Sequence, residues 1–359
     1  MPSPIIDIPT GSVGKVQIIY DFCTEAEEAF LLDKIAAVGG DAPASTSTRG
    51  SGPTGAPETT EGSDTASAPG ATSSTPATNR ANKAWGWNEL NGRRSMYWGG
   101  TLLPSSGSLV PAPFPPFMDG QWPDVLGRIA ETGVYDGWTG GKGKGKERGA
   151  NHCLVNEYLP GQGIMPHTDG PSYLPCTTTL SLGSHTVLCL RSKPSHLSDS
   201  SPSAGAAERS VATSSSSTPP ESTGTGDEVS TEQPEEPIYK IDLLLPPRSL
   251  LILSSTLYST YLHGIQPLPL DSSASLRGCA NAASYWEWEM ARAEAVQYVT
   301  AQGGELAGAV ASGGAALGKE GLQEVRSQIE QGKGLERGRR VSLTCRRVGK
   351  VKKGLFKFG

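Results

Sequence analysis

Seven short runs of β-type residues follow one another in the second half of the chain, and they constrain the fold more than any other feature of the sequence. Turns or longer insertions separate the runs, and such spacing is typical of antiparallel sandwiches and barrels. From residue 151 onward we therefore expect antiparallel strands that form a sandwich or a barrel. The predicted strands are residues 153–158, 177–182, 186–190, 238–245, 249–253, 258–263 and 341–348.

Signals for a small α/β region precede these strands. Residues 16–20 have the pattern of a strand, and the spacing of Thr24 and Glu27 is that of a capping box at the start of a helix. Bulky and polar residues alternate over residues 85–100 around an Asn-Gly turn signal, which predicts a hairpin. A short helix is predicted at residues 124–131.

Long insertions are expected to interrupt the domain. The chain has 45 glycines and 28 prolines in 359 residues, a share above the ordinary one, and large apolar side chains are almost absent from residues 41–80 and 193–236. Such segments cannot bury enough apolar surface to fold, so we predict that both are disordered. Residues 271–339, rich in Ala, Gly and Glu, predict a partly helical insertion. The parts of the domain itself are then residues 1–40, 81–192, 237–270 and 340–359.

Composition argues against several classes of protein. No run of about 18 apolar residues is present, and the first residues lack the basic-then-apolar layout of a secretion signal. We therefore expect a soluble intracellular protein of the nucleus or the cytoplasm, without membrane contact and monomeric. Six cysteines lie far apart with no Cys-x-x-Cys pair, which argues against a zinc ribbon and a disulfide framework and favours buried thiols.

Basic residues concentrate in two segments although the net charge is −5. Residues 333–359 hold ten Lys and Arg against one Glu, and residues 140–146 alternate Gly with Lys. Each segment could contact phosphate or could simply be solvated, and the sequence leaves both readings open.

The pair His167-x-Asp169 is the first signal of chemistry. Residues two apart on an extended strand face the same side, so both side chains can reach one ion. His263, at the end of a later predicted strand, is the best candidate for a third ligand. Two His and one carboxylate on one face of an octahedron form the facial triad of non-haem Fe(II) oxygenases. A His-x-Asp pair alone arises easily by chance in a chain with five histidines.

A second signal lies near the C-terminal end, where a period of two puts two arginines on one strand face. The residues that share this face are Arg340, Ser342, Thr344 and Arg346. Guanidinium groups inside a barrel are costly to desolvate unless they meet anions. A dicarboxylate cosubstrate would supply such an anion through the bidentate contacts that Arg offers. Asn156 and Tyr158 also share a face and could contact the same dicarboxylate.

Taken in chain order, these motifs resemble the AlkB-like family of Fe(II)/2-oxoglutarate-dependent dioxygenases, whose pattern is N-x-Y, H-x-D, a distal His and R-x-N-x-T-x-R. The sequence is similar above all to the sixth AlkB homologue branch of that family. Ser342 replaces the Asn of the wider family, as it does in that branch, which removes one amide from the site. The segments that carry the resemblance are residues 90–93, 97–100, 156–171, 179–188 and 340–348.

The resemblance implies a mainly β fold with flanking helices, in which a double-stranded β-helix (jelly-roll) core carries an N-terminal helix and hairpin extension. It implies that His167, Asp169 and His263 hold Fe(II). The 2-oxoglutarate ligands that it implies are Asn156, Tyr158, Arg340, Thr344 and Arg346. Arg340 would bind the distal carboxylate, and Arg346 would lie near the proximal carboxylate or Asp169. The implied reaction consumes 2-oxoglutarate and O₂, hydroxylates a C–H bond and removes an N-methyl group from nucleic acid.

Alternatives stay open for the substrate. It could be methylated DNA or RNA, or a protein or small molecule, and the barrel could instead be a non-catalytic binding module. The aromatic residues of the predicted hairpin, interleaved with arginines, could stack a base or could pack the hairpin onto the barrel. The candidate substrate contacts are Arg93, Trp98 and Tyr173, whereas His185 is interpreted as a structural histidine.

Overall fold

The computed structural model of the protein describes six stretches of the chain. Of the predicted disordered insertions, 41–80 and 193–236, only the first residue of each is described, and the Gly/Lys segment 140–146 also lies outside the described residues. The described stretches are residues 3–10, 16–41, 86–139, 149–193, 239–301 and 319–352.

Within these stretches the chain forms sixteen strands and seven helices. The strands are β1 (Ile6–Ile8), β2 (Val16–Ile19), β3 (Asn88–Leu90), β4 (Arg93–Trp98), β5 (Gly100–Leu103), β6 (Ser108–Pro111), β7 (His152–Tyr158), β8 (Ile164–His167), β9 (Tyr173–Leu182), β10 (Thr186–Ser192), β11 (Lys240–Leu245), β12 (Leu250–Ser254), β13 (Tyr261–Ile265), β14 (Leu270–Asp271), β15 (Leu335–Glu336) and β16 (Arg340–Val348). The helices are α1 (Glu25–Gly39), α2 (Val125–Glu131), α3 (Asp136–Thr139), α4 (Ser255–Thr260), α5 (Ser273–Arg277), α6 (Ala282–Ala301) and α7 (Lys319–Glu330).

Two antiparallel sheets form the core of the fold. The large sheet has the order β1-β2-β12-β9-β16-β7-β4-β3, and the small sheet has the order β11-β10-β13-β8. Along the chain, β7, β9, β12 and β16 of the large sheet alternate with β8, β10, β11 and β13 of the small one. Strands that pass back and forth between two sheets in this way form a jelly roll. The predicted fold class is therefore confirmed.

The N-terminal region extends the large sheet at both edges. β2 pairs with β12 on one side, and the hairpin β3–β4 pairs through β4 with β7 on the other. The predicted capping box is present, because Thr24 Oγ1 accepts from the Glu27 amide while the Glu27 carboxylate accepts from the Thr24 amide. Gly92 turns the hairpin with φ of 80°, and a Cβ there would lie 3.2 Å from the Gly163 carbonyl oxygen.

Apolar side chains are buried on both faces of the large sheet. Leu250 of β12 belongs to a cluster with Leu31 and Ile35 of α1, on the face that the helices cover. Its neighbour Leu251 belongs to a second cluster, between the sheets, together with Leu190 of β10. Because both faces are covered, β12 is a continuous apolar run rather than an alternation of apolar and polar residues.

The region 271–339 is joined to the barrel by buried polar contacts. The Asn281 side chain donates to the Leu244 carbonyl at 2.7 Å and accepts from the Leu244 amide at 2.8 Å, which completes the hydrogen bonding of the edge strand β11. Arg337 forms an ion pair of 2.7 Å with Asp271 inside this region, and its Nη1 donates to the Gln266 carbonyl, just after β13 of the barrel, at 2.7 Å. The partly helical character expected here is present in the described residues, as α5, α6 and α7.

Two strand predictions need correction. Residues 258–263 are not one strand, because α4 occupies residues up to Thr260 and β13 begins at Tyr261. Ser255 starts this helix in the left-handed backbone conformation, with φ of 57°, and no residue type in this stretch predicts that conformation. β8 was absent from the seven predicted runs, since Gly and Pro interrupt its apolar pattern.

All six cysteines are buried and free, beyond the buried thiols predicted for those in strand-like apolar segments. Among the described helices, none combines the length and the apolar character needed to span a membrane.

Candidate metal centre and its pocket

Two paired strands of the small sheet bring two histidines together. β8 pairs with β13 so that His167 lies opposite His263, and their ring centroids are 4.3 Å apart. Asp169 follows the end of β8, and its Oδ1 is 3.9 Å from Nε2 of His263. One ligand atom from each of the three residues lies within 4.8 Å of the other two. The structure thus brings together the three predicted metal ligands.

Both histidines are neutral at physiological pH. Burial lowers the pKa of His263 to about 4 and also lowers the pKa of His167. Nδ1 of His167 lies 2.8 Å from the Met165 carbonyl oxygen, so the neutral ring donates there and leaves the lone pair of Nε2 free. A metal needs such a lone pair, and a hydrogen bond from the other ring nitrogen is what usually orients a histidine ligand.

The carboxylate of Asp169 is held on one side and open on the other. Arg346 Nη2 lies 2.5 Å from Oδ1, whereas Oδ2 is buried and has no hydrogen-bond partner among the described residues. A buried carboxylate oxygen without a partner costs free energy unless a cation or a donor meets it. A carboxylate with one unpaired oxygen, beside two neutral imidazoles, fits a divalent ion of the kind that His and carboxylate ligands select, such as Fe(II).

The last strand, β16, supplies one wall of a pocket that opens at this cluster. Its inward residues are Arg340, Ser342, Thr344 and Arg346, as the period of two predicted. β7 adds Leu154, Asn156 and Tyr158, and the small sheet and β12 close the pocket with aliphatic side chains. The polar side chains of β7 and β16 therefore face aliphatic side chains of the small sheet. Two guanidinium groups against one carboxylate make the lining positive, which suits an anion.

Arg340 lies at the far end of β16 from Arg346. It is 3% exposed, its Nη2 donates to Ser181 Oγ at 2.8 Å, and its guanidinium lies 5.6 Å from the Tyr158 ring centroid. No carboxylate of the described residues pairs with it, and its Nε has no partner there. Burial lowers the pKa of Arg340 to about 10. A buried cation without a counterion indicates a binding site for an anionic group.

The remaining predicted cosubstrate residues lie on the same pocket face. Asn156 accepts from Arg93 Nε at 3.2 Å, so the candidate substrate contact Arg93 also reaches this face. The Thr179 hydroxyl donates a hydrogen bond of 3.4 Å to the Thr344 hydroxyl oxygen. Burial raises the pKa of Tyr158, which keeps its phenol protonated.

The expected substrate contact by Trp98 is wrong. Trp98 is fully buried and belongs to the core cluster on the helix side, where it packs against Phe117. Tyr97, one residue earlier, is on the pocket face and is 49% exposed. The packing reading of the aromatic hairpin is therefore correct for Trp98, whereas stacking on a base stays a prediction, for which Tyr97 is open to solvent. Trp85 lies outside the described residues.

One residue next to the pocket, His152, was not among the predicted site residues; it lies opposite Arg346 in the pairing of β7 with β16. It is four residues before Asn156 on β7 and so shares the pocket face, and this spacing was the signal that could have identified it. Its ring stacks between Tyr97 and Tyr173. The predicted wall residue Tyr173 in turn lies over the guanidinium of Arg346.

His185 is outside the pocket, in agreement with its interpretation as structural. Its Nε2 is 3.2 Å from Asp271 Oδ2, in the buried cluster that also contains Arg337.

A jelly roll whose pocket holds two histidines and one carboxylate is the architecture of the non-haem Fe(II) oxygenase class. No protein-family model matches the chain. A zebrafish (Danio rerio) protein described as "Probable RNA/DNA demethylase ALKBH6" is 34% identical over 180 residues, which are 50% of this chain and 57% of that protein. The match thus spans less than two thirds of that relative. Over these 180 residues the chain is similar to a protein of the ALKBH6 type, in agreement with the AlkB-like motifs of its sequence.

One solved structure, described as "The structure of OsALKBH1", covers 96% of this chain and 100% of that chain, with 13% identity and a TM-score of 0.36. That score is too low to bear on the fold, which follows here from the strand order.

Proposed function

We propose that the protein is an Fe(II)- and 2-oxoglutarate-dependent dioxygenase that hydroxylates a C–H bond and removes an N-methyl group from DNA or RNA. One observation carries this proposal, namely that a cluster suited to a metal and a buried arginine without a carboxylate partner share one pocket. The cluster is suited to Fe(II) and the arginine to one carboxylate of 2-oxoglutarate.

Each residue has a definite part in this proposal. His167, Asp169 and His263 hold Fe(II), which when bound supplies the oxidising chemistry by using O₂ and converting 2-oxoglutarate to succinate and CO₂. Arg340 binds the distal carboxylate of 2-oxoglutarate, and its bond to Ser181 fixes the guanidinium. Asn156, Tyr158 and Thr344 face the same cosubstrate.

Arg346 acts on the metal ligand instead of the cosubstrate. Its contact with Oδ1 of Asp169 fixes the carboxylate beside the two histidines and leaves Oδ2 without a protein partner among the described residues. Burial opposes its charge, but the nearby Asp169 carboxylate raises the pKa of Arg346. The aliphatic side chains of the opposite wall, among them Leu188 and Leu245 of the small sheet, exclude water and strengthen these electrostatic contacts.

Two observations support a nucleic acid as the substrate. The name of the zebrafish relative gives RNA and DNA as the substrates of that protein. In this chain the half-exposed Tyr97 and the partly buried Arg93 lie on the pocket face of β4. An aromatic ring can stack on a base and a guanidinium can contact phosphate, so these side chains suit a nucleic acid strand.

The test is succinate formation from 2-oxoglutarate with Fe(II), with and without short single strands of DNA or RNA that carry an N-methylated base. We expect Fe(II)-dependent succinate, and formaldehyde when a methylated strand is present. His167→Ala should abolish both products. Arg340→Met should raise the KM for 2-oxoglutarate about 10- to 150-fold, because a hydrogen bond to a charged group contributes about 1.5–3 kcal/mol.

Arg326→Met is the matched control, because Arg326 is exposed on α7 and pairs only with Glu330 among the described residues. It should leave both products unchanged. Absence of succinate together with no Fe(II) or 2-oxoglutarate binding in calorimetry would contradict the proposal and leave a binding module. Binding and succinate formation without formaldehyde from any methylated strand would move the substrate to a protein or a small molecule.

A further inference from the structure

Three rings line up on the pocket face of the large sheet, and we call them the ring row: Tyr97 of β4, His152 of β7 and Tyr173 of β9. Tyr97 and His152 have centroids 5.5 Å apart and planes inclined by 18°. His152 and Tyr173 have centroids 5.9 Å apart and planes inclined by 24°. Each neighbouring pair of rings is therefore stacked, in the offset arrangement that aromatic pairs prefer.

The outer end of the ring row is open. Tyr97 lies opposite Leu154 in the pairing of β4 with β7, and Leu154 lines the pocket, so Tyr97 is on the pocket side of the sheet. His152 is 2% exposed, but Tyr97 is 49% exposed. His152 stacks against the Tyr97 ring, and the exposed part of Tyr97 is available to a further planar group.

The inner end of the ring row, Tyr173, is linked to the metal centre through Arg346. The Tyr173 hydroxyl lies 3.1 Å from Nδ1 of His152, and the Arg346 guanidinium lies 5.1 Å from the Tyr173 ring centroid. Arg346 in turn holds Asp169. Burial lowers the pKa of His152 to about 4, so the middle ring is neutral, and its hydrogen bond with the Tyr173 hydroxyl places no second cation beside Arg346.

From these contacts, and on the basis of the proposed function, we propose that the ring row has two tasks. The open face of Tyr97 stacks on a base of the substrate strand, and Tyr173, fixed by His152, holds Arg346 and through it Asp169 in position. His152 is the residue that links the two tasks. Neither His152 nor Tyr173 is a metal ligand, so they are positioning residues.

The first experiment measures strand binding, not turnover. A short single strand with one N-methyladenine, in DNA and RNA form, is compared with the same strand carrying an abasic position there, by fluorescence anisotropy. The wild type should bind the base-bearing strand more tightly. Tyr97→Ala should weaken that binding about 5- to 150-fold, which is the range for loss of one stacked base, and Tyr97→Phe should retain it.

Tyr239→Ala is the control, since Tyr239 is another exposed tyrosine, at 61%, and lies outside the ring row. It should bind both strands like the wild type. A wild type that does not discriminate between the strands, or a Tyr97→Ala variant that still does, would overturn the stacking task.

The second experiment measures binding of Mn(II), a redox-silent probe of the metal centre, by calorimetry. Tyr173→Leu removes the ring beside Arg346 and should weaken Mn(II) binding about 10-fold, as loss of a residue behind a metal ligand commonly does, whereas Tyr173→Phe should bind nearly as well as wild type. His152→Leu should weaken both Mn(II) and base-bearing strand binding, and Tyr97→Ala only the latter.

Thermal unfolding of each variant separates these effects from loss of fold. Unchanged Mn(II) affinity in folded Tyr173→Leu and His152→Leu would overturn the positioning task. None of these measurements depends on succinate or formaldehyde, so the ring row and the proposed dioxygenase activity can fail separately.

Discussion

Replacement of Arg340 by methionine is expected to stabilise the protein without ligand and to remove most of the stability that 2-oxoglutarate adds. The guanidinium is buried, and no carboxylate of the described residues pairs with it. Burial lowers the pKa of Arg340 from an ordinary value above 12 to about 10. At about 1.4 kcal/mol for each factor of ten in the dissociation constant, the charge costs the folded state roughly 3 kcal/mol.

The sign of this contribution follows from the two pKa values. Because the unfolded chain keeps the proton up to a higher pH than the folded protein, stability rises with pH only above about 10, and the full cost is present at neutral pH. Methionine has no charge, but it loses the bond to Ser181 and the contact with the Tyr158 ring, which together contribute about 2 kcal/mol. The expected gain is therefore about 1 kcal/mol, or roughly 2–4 °C in Tm.

Ligand binding should reverse the order of the two proteins. At a 2-oxoglutarate concentration about 100 times Kd, the wild type gains about 2.7 kcal/mol of stability, whereas the variant, with far weaker affinity, gains little. The assay is thermal unfolding by circular dichroism, with Mn(II) in place of Fe(II), with and without 2-oxoglutarate. Arg326→Met, on the exposed face of α7, should follow the wild type in both conditions.

Two results would refute this reasoning. A fall in Tm of several degrees for ligand-free Arg340→Met would mean that the buried charge is compensated within the protein. An equal gain in Tm for variant and wild type on addition of 2-oxoglutarate would mean that Arg340 does not bind it.

Two further predictions concern the frame around the site. The pKa of His152 is about 4 in the folded protein and near 6.5 in the unfolded chain, so the free energy of unfolding falls as the pH falls from 6.5 to 4. In urea unfolding, His152→Leu should reduce the slope of this free energy against pH by up to about 1.4 kcal/mol per pH unit. An unchanged slope would contradict the low pKa. Asn281→Ala leaves the amide and carbonyl of Leu244 without partners and should lower the free energy of unfolding by about 2–4 kcal/mol, whereas a loss under 1 kcal/mol would show that water replaces the side chain.

The polar wall of the pocket could be predicted from sequence because it depends on a local rule. Along one strand the side chains alternate between faces, so the relative positions of Arg340 and Arg346 on β16 follow from their spacing alone. The same rule applied to β7 places Asn156 and Tyr158 together. The pairing of His167 with His263 is not local. The position of His263 at the end of a later predicted strand made it a candidate ligand, and the family resemblance supported that choice.

The error at Trp98 has a physical cause. Alternation shows that Tyr97 and Trp98 face opposite sides of β4, but it does not say which side is the pocket. The pairing of β4 with β7, in which Tyr97 lies opposite Leu154, decides that. A change of register by one residue would exchange the two faces, so a single sequence cannot settle the choice.

The insertion between β10 and β11 lies where it disturbs the site least. Those strands pair directly through six residue pairs, and Ser192 and Tyr239, at the two ends of the insertion, are joined by a backbone bond of 2.9 Å. Their register therefore does not depend on the length of chain between them, and each doubling of a loop costs only about 0.6 kcal/mol. None of the eight predicted metal and cosubstrate residues lies on β10 or β11. Seven lie on β7, β8, β13 and β16, and Asp169 lies just after the end of β8. The insertion can vary in length while the strands that carry the chemistry keep their register.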